Sequence, residues 1–254
     1  PVAPRMRGHA NVLGALDAGE PVRLRLGHTR VRVDPVDKAS GTRIADRAGT
    51  VREFMGQQIR TAQREVFAMS PYFVPGRFGM EVIRLLHARG VQLTVLTNSL
   101  AATDEPAVHN GYLRYRRPML EAGVRLYELS PEFTRQRNKL GSFGRSLGML
   151  HAKLVVIDRS RLFVGSLNMD GRSERYNTEI GVLIDSQALA TDLLDFMDFE
   201  SSSYRVRLSA DKRRVQWVTG TGANEQVSES EPEASLWRQF RARVLGALLP
   251  EDWL

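Results

Sequence analysis

The sequence predicts an α/β fold in which a mixed, largely parallel β-sheet is flanked by helices. Between residues 50 and 129, short apolar, β-branched runs alternate with segments of helical periodicity. Two strand-helix-strand units follow one another there, the arrangement that covers a sheet with helices and sets ligands at the carboxyl ends of strands. The chain's 254 residues, 42% of them hydrophobic, suffice for one large core or two modest ones.

Residues 1–48 mix Pro, Gly and Arg around one alternating stretch, Val22-Arg-Leu-Arg-Leu26 and Arg30-Val-Arg-Val33, which reads as a strand or hairpin with a basic face. Val51, Phe54, Met55, Ile59 and Ala62 recur at helical spacing, and 65–69 follows as a short strand. A proline-punctuated loop, Ser70-Pro-Tyr-Phe-Val-Pro-Gly76, closes that strand. A helix over 79–89, with Val82, Ile83, Leu85 and Leu86 facing inward, stops at Gly90 before a buried strand at 91–96. Residues 110–122 read as a helix with Arg114, Arg116 and Arg117 on its outer side, and 124–129 as another strand.

The next stretch, 130–150, is basic and glycine-rich, a long loop arriving at His151. Residues 154–157 and 162–164 read as two short strands and 178–184 as a third. An amphipathic helix is predicted over 188–204, and a last strand around Trp217 ends a lobe that spans 49–218. Gly, Ser and Glu make 219–235 a flexible loop, and 236–254 a C-terminal helix whose Trp237, Phe240 and Val244 pack on the lobe.

Thirty-six Lys and Arg against twenty-nine Asp and Glu give a net charge of +7, which attracts nucleic acid and anionic lipid surfaces alike. Zero cysteines exclude disulfides and thiolate metal sites. No apolar run approaches the ~20 residues of a membrane-spanning helix. The first residue is Pro1, and an upstream region is expected before it.

The chemistry concentrates in Leu150 to Asn168, which has the form HxKx4D followed after six residues by GSxN. If a strand begins by His151, that residue and Lys153 share a face, whereas Asp158 has the opposite parity and serves the fold. Gly165 permits close backbone approach, and Ser166 and Asn168 again share parity. An imidazole, an ammonium, a hydroxyl and a carboxamide suit a phosphoryl group: the imidazole attacks phosphorus while the donors hold oxygens whose charge grows in the transition state. No metal or other cofactor is required.

This stretch resembles the HKD signature of the phospholipase D superfamily. Ser70 to Gly76, Leu96-Thr-Asn-Ser-Leu-Ala-Ala-Thr-Asp104, Val108-His-Asn-Gly-Tyr-Leu-Arg-Tyr-Arg116, Asn177-Thr-Glu-Ile-Gly181 and the ending Leu249-Pro-Glu-Asp-Trp253 are similar to the carboxy-terminal half of bacterial cardiolipin synthases, those of the C type above all. The resemblance implies a phospholipase D-like lobe whose catalytic residues are His151, Lys153, Asp158, Ser166, Asn168 and Glu179. It sets Tyr72, Phe73, Asn98 and Ser99 at strand ends where they contact substrate. Glu179, twenty-eight positions after His151, matches the superfamily's carboxylate that orients an active-site histidine.

None of His9, His28, His87 and His109 completes a second HxK, so the chain supplies one half-site where the superfamily uses two. Its implied partner is a second HKD-bearing lobe, in the same full-length chain or in a homodimer; Asp34-Pro-Val-Asp-Lys38 resembles the bridge between lobes, so residues 1–48 read as an inter-lobe bridge or a remnant of the upstream half. The implied activity is a phosphatidyltransferase working through phosphohistidine at the bacterial cytoplasmic membrane, peripherally. Phosphatidylglycerol is the expected lipid and phosphatidylethanolamine a further one. A homodimeric, metal-independent nuclease and a non-catalytic lipid-binding lobe are the alternatives.

Overall fold

The computed structural model describes residues 25–40, 49–133, 150–235, 237–240, 242 and 244. The expected strand at 22–26, the basic loop before His151 and the C-terminal helix therefore lie largely outside the described residues, as does the ending 249–253. Ten strands are described: β1 (His28–Val33), β2 (Glu65–Met69), β3 (Gln92–Asn98), β4 (Arg125–Leu129), β5 (Leu154–Ile157), β6 (Arg161–Gly165), β7 (Ile180–Asp185), β8 (Ser203–Leu208), β9 (Val215–Thr219) and β10 (Gln226–Ser228). The helices are α1 (Val51–Arg60), α2 (Gly76–Ala88), α3 (Pro106–Glu121), α4 (Gly171–Arg175) and α5 (Gln187–Phe196).

All ten strands join one sheet, in the order β1-β7-β6-β5-β2-β3-β4-β8-β9-β10. The mixed α/β architecture is as expected, but parallel pairing is confined to β2-β3 and β3-β4, so "largely parallel" describes only the centre. Parallel neighbours need a long crossover, usually a helix. Only α2 and α3 supply one between sheet neighbours. The connections 158–160, 209–214 and 220–225 are hairpins and impose antiparallel pairing.

Helices α1, α2 and α3 cover one face through a large core that includes Val51, Phe54, Ile83, Leu86, Val95, Tyr112, Met119, Leu126 and Phe163. Helix α5 covers part of the other, where Ala190 packs with Phe67, Met69, Tyr127, Leu154 and Val156. The Thr50 hydroxyl caps α1 by accepting the Glu53 N–H at 3.2 Å. Pro106 starts α3 four residues before the expected position, since its missing N–H and fixed φ suit the first turn.

The helix expected over 188–204 ends at Phe196. The hydroxyls of Ser201 and Ser202 donate to the Asp198 carbonyl, and that of Ser203 to the Phe199 carbonyl, local bonds that compete with helix. Ser203–Leu208 then alternates as β8 against β4. Residues 219–235, expected to be a flexible loop, hold β10 and partnered glutamates instead. Glu225 pairs with Arg205 and Arg207, Glu229 with Arg214, and Glu231 with Arg116.

Arg116, read from sequence as part of a basic outer face, is buried. Its Nε lies 2.9 Å from Glu128, which also accepts from the Tyr112 hydroxyl at 2.6 Å and the Trp217 indole at 2.8 Å. The Tyr112 and Trp217 rings each stand 4.9 Å from the guanidinium. An otherwise costly buried carboxylate is thereby fully paired.

Asp158 opens the turn between β5 and β6, with φ of 52° at both Asp158 and Arg159. Asp tolerates this left-handed conformation better than most residues. Its carboxylate accepts the backbone N–H groups of Gln63, Arg64 and Glu65 at 2.9, 2.8 and 3.1 Å, fastening the hairpin to the start of β2. Partial burial pushes the carboxyl's pKa upward, but the N–H groups of Arg64, Gln63 and Glu65 outweigh it and hold the value below the ordinary one. Replacing Asp158 with Ala is expected to cost about 1.5–3 kcal/mol at neutral pH, the range for hydrogen bonds to a charged group. Because the folded-state pKa is depressed, this contribution is complete above the unfolded value of about 3.9 and disappears as pH falls through the folded one. Urea titrations of both proteins at pH 7 and under acid conditions check it: the two stabilities should converge on the acid side.

Candidate active site

The carboxyl ends of β2 and β3 and the amino end of β5 meet at one end of the sheet's central strands. There the backbone ladder stops and side chains take over its unpaired groups. Asn98 ends β3, and its amide clasps Leu150: Nδ2 donates to the Leu150 carbonyl at 3.2 Å and Oδ1 accepts the Leu150 N–H at 2.9 Å. With Leu150 held, His151 and Lys153 project from the chain just before β5. Lys153 Nζ lies 3.3 Å from His151 Nε2 and donates to the His151 carbonyl at 2.8 Å. The imidazole is exposed and the ammonium half-buried.

On the neighbouring hairpin, Gly165 pairs with Gly181 across β6 and β7. A Cβ at Gly165 would run into the Ile180 carbonyl, and one at Gly181 into the Phe163 ring, so both positions require glycine. This approach lets Ser166 donate its N–H to the Ile180 carbonyl at 2.9 Å and accept the Ile180 N–H on its hydroxyl at 3.0 Å. The hydroxyl itself donates to Glu179. Glu179 therefore meets Ser166 within this lobe. Asn168 is half-buried, and its Oδ1 is buried with no partner.

Burial lowers the Lys153 pKa, while the charges of Glu179, Asp170 and Asp104 act in the opposite direction. Asp170 caps α4 by accepting the Ser173 N–H at 2.8 Å, and its burial raises its own pKa. Asp104 accepts the Tyr72 hydroxyl at 2.7 Å. Burial, then that hydrogen bond, pushes the Tyr72 phenol upward. The site thus combines an exposed imidazole, a lysine held among carboxylates, and a hydroxyl fixed between the Ile180 N–H and the Glu179 carboxylate. That set can attack or protonate at a phosphorus centre and hold its oxygens.

The structure brings together His151, Lys153, Ser166 and Glu179, with Tyr72 nearby through Asp104. Asp158 does not join them, since it stands at the opposite end of β5. Three residues expected to contact substrate have other work. Phe73 is buried in the main core and bridges to Met169, Ser99 is buried and accepts the Ala102 N–H at 3.2 Å, and Asn98 spends its amide on Leu150. Strand-end position alone does not distinguish a side chain that faces solvent from one that closes the backbone. Sequence reasoning missed Asp104 and Asp170. Asp170, an N-cap residue type directly ahead of 171–175, was the available signal for the second. Among the described residues no group of His, Cys, Asp and Glu is placed to hold a metal ion.

A protein-family model described as "Cardiolipin synthase, PLD-like domain" matches residues 55–199. Cardiolipin synthase C of Escherichia coli (strain K12) is 36% identical over 225 residues, covering 86% of this chain and 46% of that protein. The chain spans under half the length of the curated relatives it matches. Among solved structures, the phospholipase D family member Nuc from Salmonella typhimurium aligns with a TM-score of 0.53 at 18% identity, covering 72% of this chain and 99% of that one. Phosphatidylserine synthase from Haemophilus influenzae Rd KW20 aligns with a TM-score of 0.55 at 13% identity, covering 89% of this chain and 45% of that one. At such identities these two structures support the fold alone.

Asn98→Ala is expected to free both Leu150 backbone groups. The cost should be about 1–3 kcal/mol, with markedly faster exchange of the Leu150 amide. Thermal denaturation and amide hydrogen exchange measure the two effects, and an unchanged Leu150 exchange rate would refute the clasp.

Proposed function

Because the chain belongs to the phospholipase D superfamily, in its family of cardiolipin synthase-type domains, we propose that it is the lobe of a phosphatidyltransferase that carries the second HKD motif. The observation that carries this reading is its likeness to a cardiolipin synthase along most of its length, with the motif residues intact. The two histidines of a complete enzyme divide the work. One imidazole nitrogen attacks phosphorus, the bond to the leaving alkoxide breaks, and the other histidine gives that oxygen its proton. The phosphatidyl group then rests on the first histidine until an acceptor alcohol, deprotonated by the second, attacks phosphorus and releases it. His151 takes one of these two roles, and Lys153, Ser166 and Asn168 serve the phosphoryl oxygens.

Phosphatidylglycerol is the proposed lipid, with phosphatidylethanolamine a further substrate, and the enzyme works at the surface of the bacterial cytoplasmic membrane. No helix among the described residues is long and apolar enough to cross a membrane. The second histidine comes from another HKD-bearing lobe, upstream in the same chain or in a second copy. Of the opening segment, read as an inter-lobe bridge or a remnant of the upstream half, β1 pairs with β7 of this lobe.

The expected outcome is that the complete enzyme makes cardiolipin in vesicles containing these lipids, seen by thin-layer chromatography, whereas a monomeric 254-residue chain makes little. His151→Ala in the complete enzyme should lower turnover by at least ~100-fold with unchanged circular dichroism. Efficient metal-independent DNA cleavage without cardiolipin would replace this reading with that of a nuclease.

A further inference from the structure

Asp34 and Lys38 lie in the segment that resembles an inter-lobe bridge, yet they are among the most buried charged residues described. Their side chains are 0% and 1% exposed and form an ion pair. Asp34 Oδ1 accepts the Val51 N–H at 2.7 Å, where α1 begins. Its Oδ2 accepts the Glu179 N–H at 3.1 Å, and its own N–H donates to the Glu179 carbonyl at 2.8 Å. Lys38 reaches beyond the pair and donates to the Ser173 carbonyl at 2.8 Å, in the helix that Asp170 caps. Both backbone groups of Glu179 are thus held by Asp34, while its carboxylate accepts the Ser166 hydroxyl.

We propose that Asp34 and Lys38 are positioning residues for the active site: their buried ion pair fixes Glu179, and through it the Ser166 hydroxyl and the electrostatic surroundings of Lys153. A buried pair adds little net stability compared with well-packed apolar residues, so stability alone gives a weak reason for it. Fixing a carboxylate to a fraction of an ångström gives a stronger one, because a displacement of about 1 Å at a reacting centre can lower the rate ~100-fold. The role rests on reading His151 and Lys153 as phosphodiester-cleaving groups but is independent of whether the substrate is a lipid.

The test uses the complete enzyme. Removing one partner leaves an unpaired buried charge and risks unfolding, so the informative variant is Asp34→Asn/Lys38→Met, which removes both charges at once. The pair's net charge is zero, so Lys153 senses the change chiefly through movement of Glu179. The Glu179 charge raises the Lys153 pKa. Its displacement is expected to lower that pKa and to move amine labelling of Lys153, followed by mass spectrometry, to lower pH. Hydrolysis of bis(p-nitrophenyl) phosphate should lose about 10- to 100-fold in kcat with KM little changed. Met119→Ala, in the core away from the site, serves as the control for lost stability.

An unchanged Lys153 labelling profile would overturn the proposal, as would an equal loss of kcat in Met119→Ala at matched thermal stability. The labelling arm decides even if the chromogenic ester proves a poor substrate. Cleavage of the ester without cardiolipin formation would count against the lipid reading alone.

Discussion

The antiparallel junction of β2 with β5 holds the molecule together. It joins the half built from strand-helix-strand units to the hairpin half that carries the HKD motif. Strand β5 is only four residues long, too short for its own ladder to place the ends well. Each end is therefore tied across the junction by one polar side chain. At the upper end Asn98 of β3 clasps Leu150, and at the lower end Asp158 gathers the N–H groups ahead of β2. The motif's histidine and its aspartate are thus set by the same strand, the first for chemistry and the second for anchoring.

Buried charge recurs at the places where distant parts of the chain must stay in register. Arg116 and Glu128 tie α3, β4 and β9 together, and Glu231 extends the network to the segment after β10. Asp34 and Lys38 tie the chain before α1 to α4 and to the start of β7. A buried ion must find its partners in one arrangement or remain unpaired at high cost, so such networks disfavour alternative packings. In both cases the further groups that the pair gathers, Trp217 and Glu231 in the first and Ser173 and Glu179 in the second, lie far away in sequence.

Local elements were legible wherever periodicity and punctuation agreed. Strand β2 falls at its predicted bounds, and α1 follows the spacing of Val51, Phe54, Met55 and Ile59. Where one signal ran past its boundary the reading failed. The apolar stripe of α5 masked the helix end at Phe196, and a helix read through to Tyr204 overran the first two residues of β8. The polar composition of 219–235 suggested a loop because the arginines that partner its glutamates come from other strands and from α3.

By itself the sequence determined the α/β class, the motif and the spacing that sets His151 and Lys153 together, because strand parity and close sequence neighbours require no knowledge of the sheet. For Asp158 it offered two readings, a fold residue by strand parity and a catalytic one by resemblance. Only the tertiary structure decided that Asn98 clasps Leu150 and that Glu179 meets Ser166. It also turned a stretch resembling a linker into the buried Asp34–Lys38 pair. Each of these depends on which strands become neighbours, and strand order follows from packing the whole chain, which no local period encodes.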